Sequence, residues 1–252
     1  MVTVSSFNSD PTIIIISDNA ELTAHLLTVL RNRSRLKNLT YSLYYSYNNS
    51  SPEAMIELGA TYINLKNEIL VNEMISSADV IFSLHCKQIF PQSLVDAVTC
   101  INVHPGYNPY NRGWYPQVFS IINGLPVGVT IHKMDYEVDH GPIIYQGKIQ
   151  IQERDTSLDA YRKIIALAKK LLDKYLVNLV FGEYQACSPI HEGNYNSIND
   201  FKKLCNIELD HIGTMQEHIN TLRALSHGQF KNAYFIDNNG IKNYIQVIIT
   251  AE

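Results

Sequence analysis

Asn102, His104 and Asp139 bring an amide, an imidazole and a carboxylate to positions where strands are expected to end. An amide polarises a carbonyl by donating to it, an imidazole moves a proton near neutral pH, and a carboxylate holds the imidazole in place. Asn102 and His104 alternate with the apolar Ile101 and Val103, so both project to one side of their strand. Pro105-Gly106 stops that strand, and Val138-Asp139-His140-Gly141-Pro142 reads as another tight turn. A single histidine at a strand end is more often a satisfied structural residue; its two companions favour chemistry here. His132 lies inside a strand-like run and reads as a packed or edge residue, while His140 suits either role.

Between the two turns runs Tyr107-Asn108-Pro109-Tyr110-Asn111-Arg112-Gly113-Trp114-Tyr115-Pro116. Aromatic faces bind flat heterocycles, amides fix hydroxyls, and arginine pairs with phosphate or carboxylate. A packed Ω-loop is the structural alternative.

These residues need a scaffold that ends several strands together. The β-branched run 12–17 fits a strand buried on both faces. A helical pattern follows at 20–33, with Asp18 or Asn19 as its N-cap. No GxGxxG accompanies this unit, so the dinucleotide fingerprint is missing. Further strands are expected at 39–46, 60–65, 80–84, 99–104, 127–134 and 143–151, and helices at 52–58, 67–78, 91–98 and 158–181. Asp155-Thr156-Ser157 offers the last helix its N-cap and Gly182 its stop. The alternation predicts an α/β fold, a mostly parallel sheet with helices on both faces. Beyond Gly182 the chain turns polar, then offers a helix at 214–226 and two β-rich runs around Asn239-Gly240, a hairpin signal. A lone hairpin is marginal in water, so it should pack on the main domain or on another subunit. The expected division is a catalytic domain over 1–182 and a C-terminal helical and β-hairpin region over 183–252.

The 252 residues are 46% apolar and 17% charged, which is ordinary for a globular protein with a core. A net charge of −4 gives no basic excess for a nucleic-acid surface. Cys86, Cys100, Cys187 and Cys205 form no CxxC pair and no zinc spacing; Cys86 and Cys100 read as buried reduced thiols. No metal is expected. No apolar run reaches the ~20 residues of a membrane helix. The first ten residues lack the regions of a signal peptide and read as a frayed leader. Together these point to a reducing, cytoplasmic setting.

Two motifs carry a resemblance. Asn102-Val103-His104-Pro105 leads to Arg112-Gly113, and Gly128-Val129-Thr130-Ile131-His132 leads to Asp139-His140-Gly141-Pro142-Ile143. In order and content they are similar to the signature of the folate-dependent formyltransferases, which include glycinamide ribonucleotide and methionyl-tRNA transformylases. The resemblance is strong over residues 81–150 and reaches the rest of the sheet domain by topology, which implies a Rossmann-like formyltransferase fold. Where those enzymes read Ser-Leu-Leu-Pro, this chain has Gly106-Tyr107-Asn108-Pro109. That variant, together with residues 83–91 and 228–235, resembles the nucleotide-sugar N-formyltransferases, especially those acting on dTDP-4-amino-4,6-dideoxyglucose.

The resemblance implies transfer of the formyl group of N10-formyltetrahydrofolate to a dTDP-linked amino sugar, for bacterial O-antigen or other surface polysaccharide. It implies that Asn102 and His104 stabilise the oxyanion, that His104 takes the amine proton, and that Asp139 orients His104 and aids the departing folate nitrogen. Folate is implied beside His85, Cys86, Lys87, Gln88, Ile89 and Phe90, and beside Tyr136, Glu137 and Val138. The nucleotide sugar is implied at Asn19, Tyr107, Asn108, Tyr110, Arg112 and Trp114, and at Phe230, Lys231, Asn232 and Tyr234. Within that set an aromatic ring would stack on thymine, and Lys231 or Arg112 would meet the pyrophosphate. The C-terminal hairpin is implied to build a homodimer. Two alternatives stay open: a glycinamide ribonucleotide or methionyl-tRNA acceptor, and a nucleotide-sugar binding protein without catalysis. The tRNA acceptor should bring a larger, basic C-terminal domain.

Overall fold

In the computed structural model, which describes residues 10–250, the isoleucine run forms a strand buried at all five positions. The leader reading for the first residues lies mostly outside the described chain. In order the elements are β1 (Ile13–Ser17), α1 (Ala20–Asn32), β2 (Tyr41–Ser46), α2 (Glu53–Glu57), β3 (Thr61–Ile63), α3 (Glu68–Ser77), β4 (Val80–Leu84), α4 (Gln92–Ala97) and β5 (Thr99–His104). There follow β6 (Arg112–Gly113), α5 (Pro116–Asn123), β7 (Val127–Lys133), β8 (Ile143–Ile149) and α6 (Ser157–Val180). The C-terminal part adds β9 (Tyr195–Asn196), α7 (Ile198–Cys205), α8 (Met215–Leu225), β10 (Tyr234–Ile236) and β11 (Lys242–Tyr244).

The large sheet has the order β3-β2-β1-β4-β5-β7-β8. From β3 to β5 neighbouring strands are parallel. β7 then runs antiparallel to β5, with Asn102 opposite His132 and His104 opposite Thr130. This is the mostly parallel α/β sheet that the sequence pattern predicts. The short parallel pair of β6 with β9 is an addition the pattern did not announce. Asn19, rather than Asp18, caps α1 by accepting from the Leu22 N–H, and Gly182 ends the α6 segment with a left-handed φ of 68°.

The residues group into two compact units, each assembled from separated stretches of chain. One takes the chain up to His104, then Val129–Gly147 and Leu167–Ile190; the other takes Pro105–Gly128, Lys148–Ala166 and the chain from His191. A core of the first joins Ile14, Ile16, Ile63, Val71, Ile81, Phe90, Leu94 and Cys100. A core of the second joins Val118 and Ile121 of α5 to Phe201, Cys205, Ala224 and Leu225. The hairpin packs on that second core through Tyr234 and Ile245, and the Ile207 N–H donates to the Tyr234 carbonyl at 2.7 Å. Among the described residues no helix is long and apolar enough to cross a membrane.

Phe82 of β4 is fully buried and among the largest such side chains. Phe82→Ala removes its packing and leaves a cavity, so the variant is expected to lose about 3–5 kcal/mol in urea unfolding.

Candidate active site

In the first unit, β5 presents Asn102 and His104 on one face, as strand alternation requires. Asp139 reaches them from the turn after β7. That turn is tight because the Lys133 N–H donates to the Pro142 carbonyl at 2.9 Å. Gly141 fits there because a Cβ would lie 1.9 Å from the Lys133 carbonyl oxygen. Asp139 itself has a left-handed backbone, with φ 53°, a conformation that costs about 1–3 kcal/mol and must be held from outside.

What holds it is a cluster around one oxygen. The Asn102 amide donates to Asp139 Oδ1 at 2.9 Å, and His104 Nδ1 lies 3.3 Å from the same oxygen. The carboxylate side chain is 11% exposed and the His104 side chain 4%. An ionised carboxylate only accepts, so His104 carries a proton on Nδ1 and its Nε2 keeps a lone pair. His132 completes the group. It is packed, as expected, but it also serves the site: its Nδ1–H donates to the Lys133 carbonyl at 2.8 Å. Its Nε2 then accepts from the Asn102 amide at 3.3 Å. Both Asn102 hydrogens are therefore engaged, one by Asp139 and one by His132. His140 pairs instead with Asp135, at 2.9 Å.

The segment from His85 to Phe90 is fastened beside this cluster by the side chains of Asp18, which follows β1, and of Gln88 within the segment. Asp18 accepts from the Ser46 N–H at 3.0 Å, the Ser46 hydroxyl at 2.5 Å and the Lys87 N–H at 2.8 Å. The Gln88 amide is taken at both ends, accepting from the Leu65 N–H at 2.9 Å and donating to the Ile63 carbonyl at 3.1 Å. Phe90 belongs to the core. Burial pushes the Cys86 thiol up to about 11 and the Cys100 thiol to about 12. Of the residues expected beside folate, Ile89 and Tyr136 are exposed, at 78% and 74%, and Val138 is also exposed. Lys87 and Glu137 face solvent too.

His85 is coupled electrostatically to this cluster. Burial lowers its pKa to about 4, with His104 nearby also lowering it and Asp139 opposing. Asn19, expected at the sugar, places its amide nitrogen 3.4 Å from His85 Nδ1.

The second unit holds the aromatic loop. Asn111 is fully buried with φ 50°, and its side chain bonds Ser120, Asn123, Asn194 and Asn196. This amide knot fixes the loop and was not singled out in the sequence. Asn108 is buried and the Asn108–Pro109 peptide is cis. Arg112, expected at a pyrophosphate, is nearly buried and bonded to Glu192 at 2.5 Å. Tyr107 lies under Lys148, 4.8 Å from its ring centre; Tyr110 is half-buried. Trp114 leans on Tyr115, which packs on Phe201 with ring centres 4.3 Å apart. Of the tail residues, Asn232 donates to the Leu225 carbonyl at 3.0 Å and Tyr234 packs on the core under Lys242, 3.5 Å from its ring centre. Phe230 and Lys231 are the exposed pair.

Two consequences are measurable. Gly141→Ala is expected to displace the Asp139 turn and to cost about 1–3 kcal/mol in thermal unfolding, through overpacking against Lys133. His85 has its pKa lowered from 6.5 to about 4, so below pH 6.5 the unfolded chain binds a proton that the folded ring refuses. Stability present above pH 6.5 is then lost as pH falls towards about 4, on the order of 3 kcal/mol in all. His85→Gln should remove that slope, read as the wild-type minus variant difference in urea unfolding across the interval.

Comparison with known proteins identifies the family. Residues 13–176 match the Formyl transferase family and residues 200–251 match the N-formyltransferase dimerization C-terminal domain. The chain is 46% identical over 182 residues to a dTDP-4-amino-4,6-dideoxyglucose formyltransferase of Mycobacterium tuberculosis, covering 72% of this chain and 78% of that one. Among solved structures it is similar to a sugar N-formyltransferase from Shewanella sp FDAARGOS_354, with TM-score 0.94 and 46% identity over 96% of this chain and 99% of that one. It is also similar to a 4-N formyltransferase from Francisella tularensis, with TM-score 0.88 and 37% identity over 97% and 100% of the two chains. With the family matched across most of the sheet and the Asn102–His104–Asp139 cluster in place, the chain belongs to the formyl transferase family.

Proposed function

We propose that this protein moves the formyl group of N10-formyltetrahydrofolate to the amino group of a dTDP-linked amino-dideoxy sugar, with dTDP-4-amino-4,6-dideoxyglucose as the first choice. The observation that carries the reading is the bonded set of Asn102, His104 and Asp139 in a chain 46% identical to an enzyme named for that sugar. The exposed apolar side chains of Ile89, Tyr136 and Val138 suit the flat faces of a pterin and its aminobenzoyl group.

The sugar nitrogen bonds to the formyl carbon while the carbonyl electron pair moves to oxygen. His104 Nε2, whose lone pair is kept by the Nδ1–H···Asp139 bond, takes the proton released by the amine. Asn102 donates to the developing oxyanion. Collapse breaks the bond between carbon and N10, and the His104–Asp139 pair returns a proton to that nitrogen. One formyl group is exchanged for one hydrogen, with no redox step.

The pyrimidine and sugar fall to the exposed Trp114, Phe230 and Lys231, and the product serves bacterial surface polysaccharide synthesis in the cytoplasm. The exposed Leu209, Ile212, Met215 and Ile219 lie within the segment matched to the dimerization domain, and we take the protein to be a homodimer through that region.

The test is formyl transfer by the purified protein to the dTDP sugar, glycinamide ribonucleotide and methionyl-tRNA in parallel, with product read by mass spectrometry. Only the dTDP sugar is expected to react efficiently. Asn102→Ala should then be slower by about two to three decades, the usual loss for one oxyanion donor. Near wild-type turnover in both Asn102→Ala and His104→Asn would falsify the assignment.

A further inference from the structure

His85 begins the turn after β4 with a left-handed backbone, φ 52°, and its Nε2 is out of contact with solvent. The ring lies within the fields of His104 and Asp139. Its other nitrogen, Nδ1, is 3.4 Å from Asn19 Nδ2.

The state of the ring can be read from the far end of Asn19. There Oδ1 accepts from the Leu22 N–H at 2.8 Å as the N-cap of α1. The helix needs that oxygen, so the group turned towards His85 is the NH2, which only donates. A ring nitrogen that faces a donor must be an acceptor. A neutral His85 therefore carries its proton on Nε2. Nearby titratable or charged groups include Asp18, which accepts from the Lys87 N–H, the Cys86 thiol, the exposed Lys87, and His132 beside His104.

We propose that His85 is a positioning residue for His104: the Asn19 amide holds it as a neutral ring with its proton on Nε2, so that His104, and not His85, takes the proton of the attacking amine. The inference rests on the formyl-transfer reading. Two imidazoles that share one field resist being charged together. A cationic His85 would close His104 to the incoming proton. The α1 cap prevents this by turning a donor, and never an acceptor, towards Nδ1.

Asn19→Asp tests it. The aspartate keeps an oxygen for the Leu22 N–H but turns a carboxylate oxygen towards Nδ1, which favours a charged His85. The acid limb of kcat/KM is expected to move up by about one pH unit or more, because the cluster now takes its first proton at His85. In Asn19→Asp/His85→Gln no ring remains there to charge, and the limb should return to that of His85→Gln alone. Imidazole nitrogen NMR supplies a readout independent of turnover. In the wild type His85 should be neutral with its proton on Nε2 while His104 titrates first; in Asn19→Asp that order should reverse.

A proton on Nδ1 of wild-type His85 would overturn the proposal. So would an unmoved limb in Asn19→Asp, or a shift that survives in the double variant. If no acceptor is formylated, the functional reading fails on its own, and the NMR order of titration still decides the role of His85.

Discussion

The hydrogen bond from the Asn102 amide to Asp139 is the contact on which the rest of the site depends. Asn102 is fixed by the sheet, since β5 is paired on both sides. Asp139 is not; it sits on a turn in a conformation that a non-glycine residue avoids. A hydrogen bond to a charged group is worth about 1.5–3 kcal/mol, and the left-handed backbone costs about 1–3 kcal/mol. Asn102 and His104 together therefore outweigh the strain, where neither would do so with much margin alone. The reach of Asp139 into the strand ends is thus maintained by Asn102 and His104.

A second constraint lies at the other side of the sheet end. Asp18 takes three donors from β2 and from the turn after β4, and Gln88 clamps the same turn to the end of β3. A side chain that satisfies backbone groups at several strand ends does what a longer sheet would do, and leaves the turn still enough to hold His85. The segment expected beside folate is thereby divided. Gln88 and Phe90 build it, while Ile89 and Lys87 project from it.

Much of this was legible in the chain. Alternation put Asn102 and His104 on one face without any structure, the turn at Gly141-Pro142 announced Asp139, and the β-branched runs announced the sheet. The remainder depended on pairing at long range. His132 looked like an ordinary strand residue because its meaning comes from the register that sets it opposite Asn102. The Arg112–Glu192 pair could not be read from the chain because Glu192 lies 80 residues away. The amides that knot around Asn111 lie 83 and 85 residues further on, in a stretch that reads only as polar loop. Asn19 read as a cap or a sugar contact, and only the position of His85 shows that one amide uses its two ends differently.

The resting state of Asn102 carries a last consequence. Its two hydrogens are already given to a carboxylate and an imidazole, so under the proposed reaction a neutral formyl oxygen, a weaker acceptor than a carboxylate, has nothing to gain by competing for them. A full negative charge on that oxygen does compete, and it does so best once a proton has quenched Asp139. On that proposal the amide would be a threshold device: silent towards the ground-state donor and towards product, responsive to the charge that exists only midway. Such a site favours turnover over tight retention of either ligand.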